Sequence, residues 1–295
     1  MSSPTLTTDV FARNSIICAI GLPLVAIMCL VLLSLQRNAP ANLSPMRPQS
    51  LWLLVFRVAA LTLCLAALIT QILHSAKSKF VFYTTWNFTA QIAFFALSIL
   101  HAILVRVCAS DAVPSVDTMR RFLNVLFDVT FAAAFAIVVA FWTIVYKPTT
   151  QLDWTNSVVH IATIGLYLID FMCNDYVTQA SSLPFAMLWP TLYCAVSWLG
   201  YATYLHGWWP YAAVDLANPS APLVWFGLIF IHAIFSGLTW LLSRAKQRVV
   251  GVAVPQFSSF ALRPRLSVFE YGGHDVELGG TSKEGSNSNP RRQSK

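Results

Sequence analysis

The chain has 295 residues, 57% apolar and 11% charged, with a net charge of +7 and a mean hydropathy of +0.63. A soluble chain devotes about a quarter of its residues to Asp, Glu, Lys and Arg, and here 13 of the 31 charges follow Ser243. The 18 that remain cannot wet the surface of a soluble domain, which excludes an ordinary soluble enzyme and a nucleic-acid binder working through a broad basic surface.

A helix needs about 20 mostly apolar residues to cross about 30 Å of hydrocarbon. After an extramembrane segment, 1–14, seven stretches qualify: Ser15–Leu35, Leu51–His74, Phe80–Val105, Phe122–Tyr146, Trp154–Asn174, Leu183–Leu205 and Pro222–Ser243. Continuous apolar runs of this length are not the short alternating strands of a barrel. The expected fold is an all-α polytopic bundle of about seven spans, closed by a basic, largely disordered tail, Arg244–Lys295. The first span is too long for a signal peptide and lacks a good cleavage site, so it is retained. Basic residues decide orientation. Arg37, Arg47, Arg106, Arg120, Arg121 and the tail's Arg244, Lys246 and Arg248 share one face, against Arg13, Lys77, Lys79 and Lys147 on the other. The positive-inside rule then puts the amino terminus outside or lumenal and the carboxyl terminus in the cytoplasm. The sequons Asn42-Leu43-Ser44 and Asn87-Phe88-Thr89 fall on the cytoplasmic side and inside a span, so both are expected to stay unglycosylated.

Polar side chains are costly in hydrocarbon, so their spacing marks the face turned from lipid. The second span carries Arg57, Cys64, Gln71 and His74, and the third carries Thr84, Asn87 and Gln91. The fourth has Asp128 and an Ala132, Ala136, Ala140 ridge suited to close packing. In the fifth, Asn156, His160, Thr163, Tyr167, Asp170 and Asn174 form one helical stripe. The seventh offers His232, Ser236, Thr239 and Ser243. A structural ion pair accounts for Arg57, with either Asp128 or Asp170 as its partner. No lysine falls in these spans, which excludes a retinal Schiff base, and the DRY and NPxxY signatures of rhodopsin-like receptors are absent. The cysteines form no CxxC pair, so no disulfide framework, metal or cofactor is implied.

One pair points to chemistry. Thr84 and His160 lie on spans running in the same direction, about 6–9 Å below the same surface at about 1.5 Å per residue. A Thr hydroxyl becomes a nucleophile when a base takes its proton, and neutral His is the usual base. Asn87 and Asn156 are the neighbouring candidates for oxyanion or polar support. The plain alternative is packing: a Thr hydroxyl bonded to its own helix and a His bridging two helices. On the same side, Gly207-Trp208-Trp209-Pro210-Tyr211 follows the sixth span, as an interfacial aromatic belt or as a lid.

The segment Lys79-Phe80-Val81-Phe82-Tyr83-Thr84-Thr85-Trp86-Asn87, continuing through Gln91 to Phe95, resembles the androgen-induced membrane hydrolase family and the related rolling stone-like proteins. Further matches are Trp154-Thr155-Asn156 through His160 to Asp170, and Gly207–Tyr211. The likeness covers roughly Leu51 to Arg244, with the first span added to a six-helix core. It implies a lipid-ester hydrolase acting on esters of hydroxy fatty acids, with Thr84 as nucleophile and His160 as base. Some of these hydrolases carry a His three residues before the base, where this chain has Ser157. The Tyr-Thr-Thr-Trp segment leans toward the rolling stone branch, which implies a non-enzymatic membrane scaffold or fusion factor. A transporter is the third alternative. Membrane lipids and a lipid-ester substrate are the expected partners, with no nucleic acid.

Overall fold

A computed structural model describes residues 4–36, 49–74, 79–107, 118–146 and 153–250. Among them are seven helices long and apolar enough to cross a membrane, as expected for an integral multi-pass membrane protein. They are α1 (Pro4–Gln36), α2 (Leu51–Leu73), α3 (Tyr83–Val107), α4 (Thr118–Ala140, extended by a π-turn, Phe141–Val145), α5 (Trp154–Ser157, a π-turn Val158–Ala162, then Thr163–Cys173), α6 (Leu183–Ala202) and α7 (Ala221–Val250). The Asn42 sequon, Cys108 and residues 251–295 lie outside the described residues.

Helices run past the expected span ends. The segment before the first span is helical from Pro4, because nothing in Pro4–Asn14 breaks a helix once begun. The tail begins later than Arg244: α7 runs on to Val250, through residues of good helix propensity, so Lys246 belongs to the last helix. Its ammonium donates to the carbonyls of Phe171 and Asn174, the latter at 2.7 Å, where the end of α5 leaves acceptors free. At the other end α6 stops at Ala202, and the chain reverses through His206 and Gly207, both with positive φ (49° and 81°). Gly takes that conformation without a Cβ penalty.

The small-residue ridge makes α4 the hub. Ala132, Ala133 and Ala136 are fully buried, and α4 packs against α3, α5, α6 and α7. On one side α2, α3, α4 and α5 close a ring filled by aromatic residues, with Phe127 stacked on Tyr167 (5.5 Å) and Phe94 against both. On the other side α1, α6 and α7 enclose a second core around Trp209, Trp225 and Cys194. The first helix is peripheral, packing mainly on α6 and α7, and is the least buried of the seven. Two features fasten it. Asn14 donates to the carbonyls of Leu216 and Asn218 at 2.9 and 2.8 Å, and the Phe226 ring sits where a Cβ on Gly21 would be.

Arg57 has chosen its partner. Its Nε and Nη2 donate to Asp170 Oδ2 and Oδ1 at 2.7 and 3.0 Å, a two-pronged bond between fully buried groups. Asn174 donates to Asp170 Oδ1 at 2.7 Å, and Gln49 accepts from Arg57 Nη1 at 2.6 Å. The Phe94 and Tyr176 rings lie 5.6 and 5.7 Å from the guanidinium carbon. Asp128 bonds elsewhere. It accepts from Ser182 Oγ at 2.6 Å and from the Gln179 amide at 3.1 Å, holding the turn that opens α6. Truncating one member of a buried pair strands the other charge. Arg57→Ala is therefore expected to cost about 3–5 kcal/mol, read as a fall in the unfolding midpoint in detergent, while Arg57→Met combined with Asp170→Leu recovers most of it.

Candidate functional site

Thr84 stands in the first turn of α3, where a helix has backbone N–H groups without internal acceptors. A residue from far along the chain comes close to them. The Tyr211 hydroxyl lies beside the Thr84 side chain and the backbone of Tyr83 and Thr84. Burial pushes the Tyr211 phenol above its ordinary value, while hydrogen bonding there pulls it the other way. Its ring packs edge-on to Phe82 at 5.5 Å. The loop carrying it folds inward, with Trp209 and Pro210 buried and Trp209 stacked on Tyr201 at 4.4 Å. Half of the aromatic segment thus covers the end of α3, and the exposed Trp208 alone fits a belt facing outward.

His160 sits in the π-turn of α5 and is buried. Its ring lies parallel to Phe141 at 3.8 Å, and Phe141 opens the π-turn of α4. Two widened turns on neighbouring helices therefore meet ring to ring, and such turns are frequent at functional sites. Nδ1 of His160 has no hydrogen-bond partner, and no hydrogen bond joins the ring to Thr84 among the described residues.

Asn87 is one turn below Thr84, buried, with Oδ1 unpartnered. Asn156 is only half-buried. The π-turn adds a residue and shifts the phase of α5, so Thr155 occupies the inward position instead. Thr155 donates to Asp153 Oδ1 at 2.8 Å and accepts from Gln71 at 3.4 Å. Asp153 caps α5, and the Asn156 amide at 2.7 Å holds its carboxylate below the usual range. The Thr84, Asn87 and Gln91 side of α3 is the side that carries Phe88 and Phe95 into the four-helix core, and α5 packs on the same core.

Sequence reasoning missed a second pair. Tyr83 bonds to His232 Nε2 at 2.6 Å, and His232 Nδ1 meets the Leu228 carbonyl at 2.6 Å. The carbonyl can only accept, so Nδ1 carries the proton and Tyr83 donates to Nε2. Counting depth from the ends of spans could not find this contact. It takes all helices to start level, yet Tyr193, midway along α6, donates to the Val81 carbonyl just before α3 at 2.9 Å. The α6–α7 hairpin extends past the end of α3, and the loop returns to reach Thr84.

Comparison with protein-family models, curated proteins and solved structures finds no match. The site stands on its geometry.

Tyr83→Phe is expected to leave a fully buried imidazole nitrogen without its donor. The cost is about 1–3 kcal/mol, measurable as a lower unfolding midpoint, whereas Tyr204→Phe, at an exposed ring, leaves the midpoint unchanged.

Proposed function

We propose that this chain is an intramembrane hydrolase of lipid esters, with Thr84 as nucleophile and His160 as base, as its resemblance to the androgen-induced membrane hydrolases implies. The observation that carries the reading is the state of His160. It is a buried imidazole clamped against Phe141 between two π-turns, with Nδ1 left unpartnered. Leaving a buried nitrogen unsatisfied costs stability, and a group retained at that cost has a bond to make elsewhere in its working cycle.

In this reading the ester enters from the bilayer and its carbonyl comes to lie between α3 and α5. Thr84 Oγ1 bonds to the carbonyl carbon as His160 takes the hydroxyl proton. The carbonyl oxygen, now an oxyanion, takes the place of the Tyr211 hydroxyl beside the free amides of Tyr83 and Thr84, which a helix start offers to negative charge. Collapse of the intermediate breaks the bond to the alcohol, which leaves with the proton from His160. Water, deprotonated by the same imidazole, then releases the acid from Thr84. Asn87, whose Oδ1 is without a partner, and Asn156 are the amide side chains proposed as support. The alternative is a non-enzymatic scaffold of rolling stone type. It is favoured by the Thr84–Tyr211 contact, which would then serve only to pin the loop.

Purified protein decides between them. Hydrolysis of a fatty-acid ester of a hydroxy fatty acid, with fluorophosphonate labelling, is expected for the wild type and for Thr84→Ser. Both signals should fall by at least a hundredfold in Thr84→Ala and His160→Gln, about the contribution of a general base. Equal turnover in Thr84→Ala would sink the assignment.

Orientation is a part of the same proposal. The distribution of basic residues supports an orientation with Thr84 toward the lumenal or outer leaflet. Expressed in a eukaryotic cell, the protein is expected to show no mobility shift on glycosidase treatment, since Asn87 is buried within α3 and Asn42 would face the cytoplasm. A glycan on Asn42 reverses the orientation and leaves the Thr84–His160 reading untouched.

A further inference from the structure

A groove of about 1150 Å³ runs between α1, α4 and α6, and neither Thr84 nor His160 lines it. Its walls are almost wholly apolar, including Leu22 from α1, Val125 from α4, and Leu192, Ala195 and Leu199 from α6. Along α6 it extends from Phe185 to Ala202, about 25 Å at the rise of a helix. That is most of the hydrocarbon thickness of a bilayer, so one acyl chain fits it end to end.

One charged residue lines the groove, and it lies at one end. Arg121 is in the first turn of α4, exposed, and has no ion pair among the described residues. Its neighbour behaves otherwise: Arg120 is buried and spends its charge on Asp175 at 2.5 Å. Adjacent arginines on a helix point about 100° apart, so one serves the protein's own network and the other faces the groove. Partway along the wall the indole N–H of Trp189 is buried without an acceptor. A cation at the membrane surface above a long apolar channel complements a phosphate headgroup on acyl chains, and basic pockets between spanning helices bind anionic lipids in this way. An aqueous ligand would gain nothing from such walls, and a protein helix would have to bring its own anion.

We infer that the α1–α4–α6 groove is a binding site for one anionic phospholipid, with its phosphate on Arg121 and an acyl chain laid along α6. The site is independent of the hydrolase reading, because its ligand is held and not turned over. It also gives the peripheral α1 a role, since that helix supplies the third wall.

The test uses the full chain purified in mild detergent with phosphatidylglycerol or phosphatidylcholine, and counts retained lipid by native mass spectrometry. The wild type is expected to hold one phosphatidylglycerol about fivefold more tightly than phosphatidylcholine, the preference that one basic residue provides. Arg121→Gln removes the preference and leaves the unfolding midpoint unchanged, since Arg121 has no ion pair among the described residues to lose. Ala195→Trp, at an exposed position in the groove, abolishes retention of both lipids. Arg248→Gln, exposed on α7 and away from the groove, keeps wild-type retention. Equal retention of the two lipids by the wild type overturns the proposal. So does undiminished phosphatidylglycerol on Arg121→Gln, or an equal loss on Arg248→Gln, which would mark a general surface charge effect. If Ala195→Trp fails to fold, the Arg121 and Arg248 comparison decides alone.

Discussion

The ion pair of Arg57 with Asp170 is the constraint from which the rest of the bundle is arranged. Two full charges with no exposed surface persist only in good geometry with their remaining bonding positions filled. Meeting that condition recruits Gln49 before α2, Asn174 after α5, and the Phe94 and Tyr176 rings. Gln49 in turn is held by Arg106 of α3 and by Asp175, which Arg120 of α4 also binds. Lys246 ties α7 to the end of α5. Five of the seven helices or their flanking turns thus meet at one end of the bundle. There, non-directional apolar packing alone would leave their rotation and register poorly specified.

Fixing that end sets the other. With α2 and α5 locked and α4 packed against α3 and α5, α3 and α5 bring their polar faces toward one core. The arginine-rich end carries two ion pairs, Arg57 with Asp170 and Arg120 with Asp175. Buried polar atoms without partners occur at both ends, His160 Nδ1 and Asn87 Oδ1 at the Thr84 end and Tyr176 OH and Asp128 Oδ1 at the other.

Much of this was legible in the residue order, for physical reasons. Long apolar runs must be helices in lipid, because every backbone group has to bond within its own segment. A charge in such a run must find its opposite, which left Arg57 two candidate partners, and only three-dimensional packing could choose Asp170. The α5 stripe from Thr163 to Asn174 holds because a regular helix keeps its phase. The stripe loses its phase at the half-buried Asn156, because the π-turn at Val158–Ala162 adds a residue that no local pattern announces. The helix end of α7 lies past the apolar run for a related reason. Hydropathy marks where lipid stops, and a helix of Arg, Lys and Gln continues beyond that point. Contacts such as Tyr83 with His232, 149 residues apart, depend on how far one hairpin rises past another helix, a quantity absent from sequence spacing.

Tyr211 is where fold and function bear on one another most directly. Its hydroxyl lies beside Thr84 and the amides of the α3 terminus, the groups that the hydrolase proposal uses. Under that proposal Tyr211 gives way when an ester arrives. The loop is built so that this exchange need not unravel it. Trp209 is stacked on Tyr201, and the Trp225 indole donates to the Val214 carbonyl at 2.9 Å on the far side of Tyr211. Both anchors lie on the α6–α7 side, leaving the Tyr211 side chain as the part that reaches across to α3. Under the hydrolase proposal, a phenol moved away from Thr84 exposes the proposed nucleophile and oxyanion donors together, and an ester oxygen arriving there takes its place.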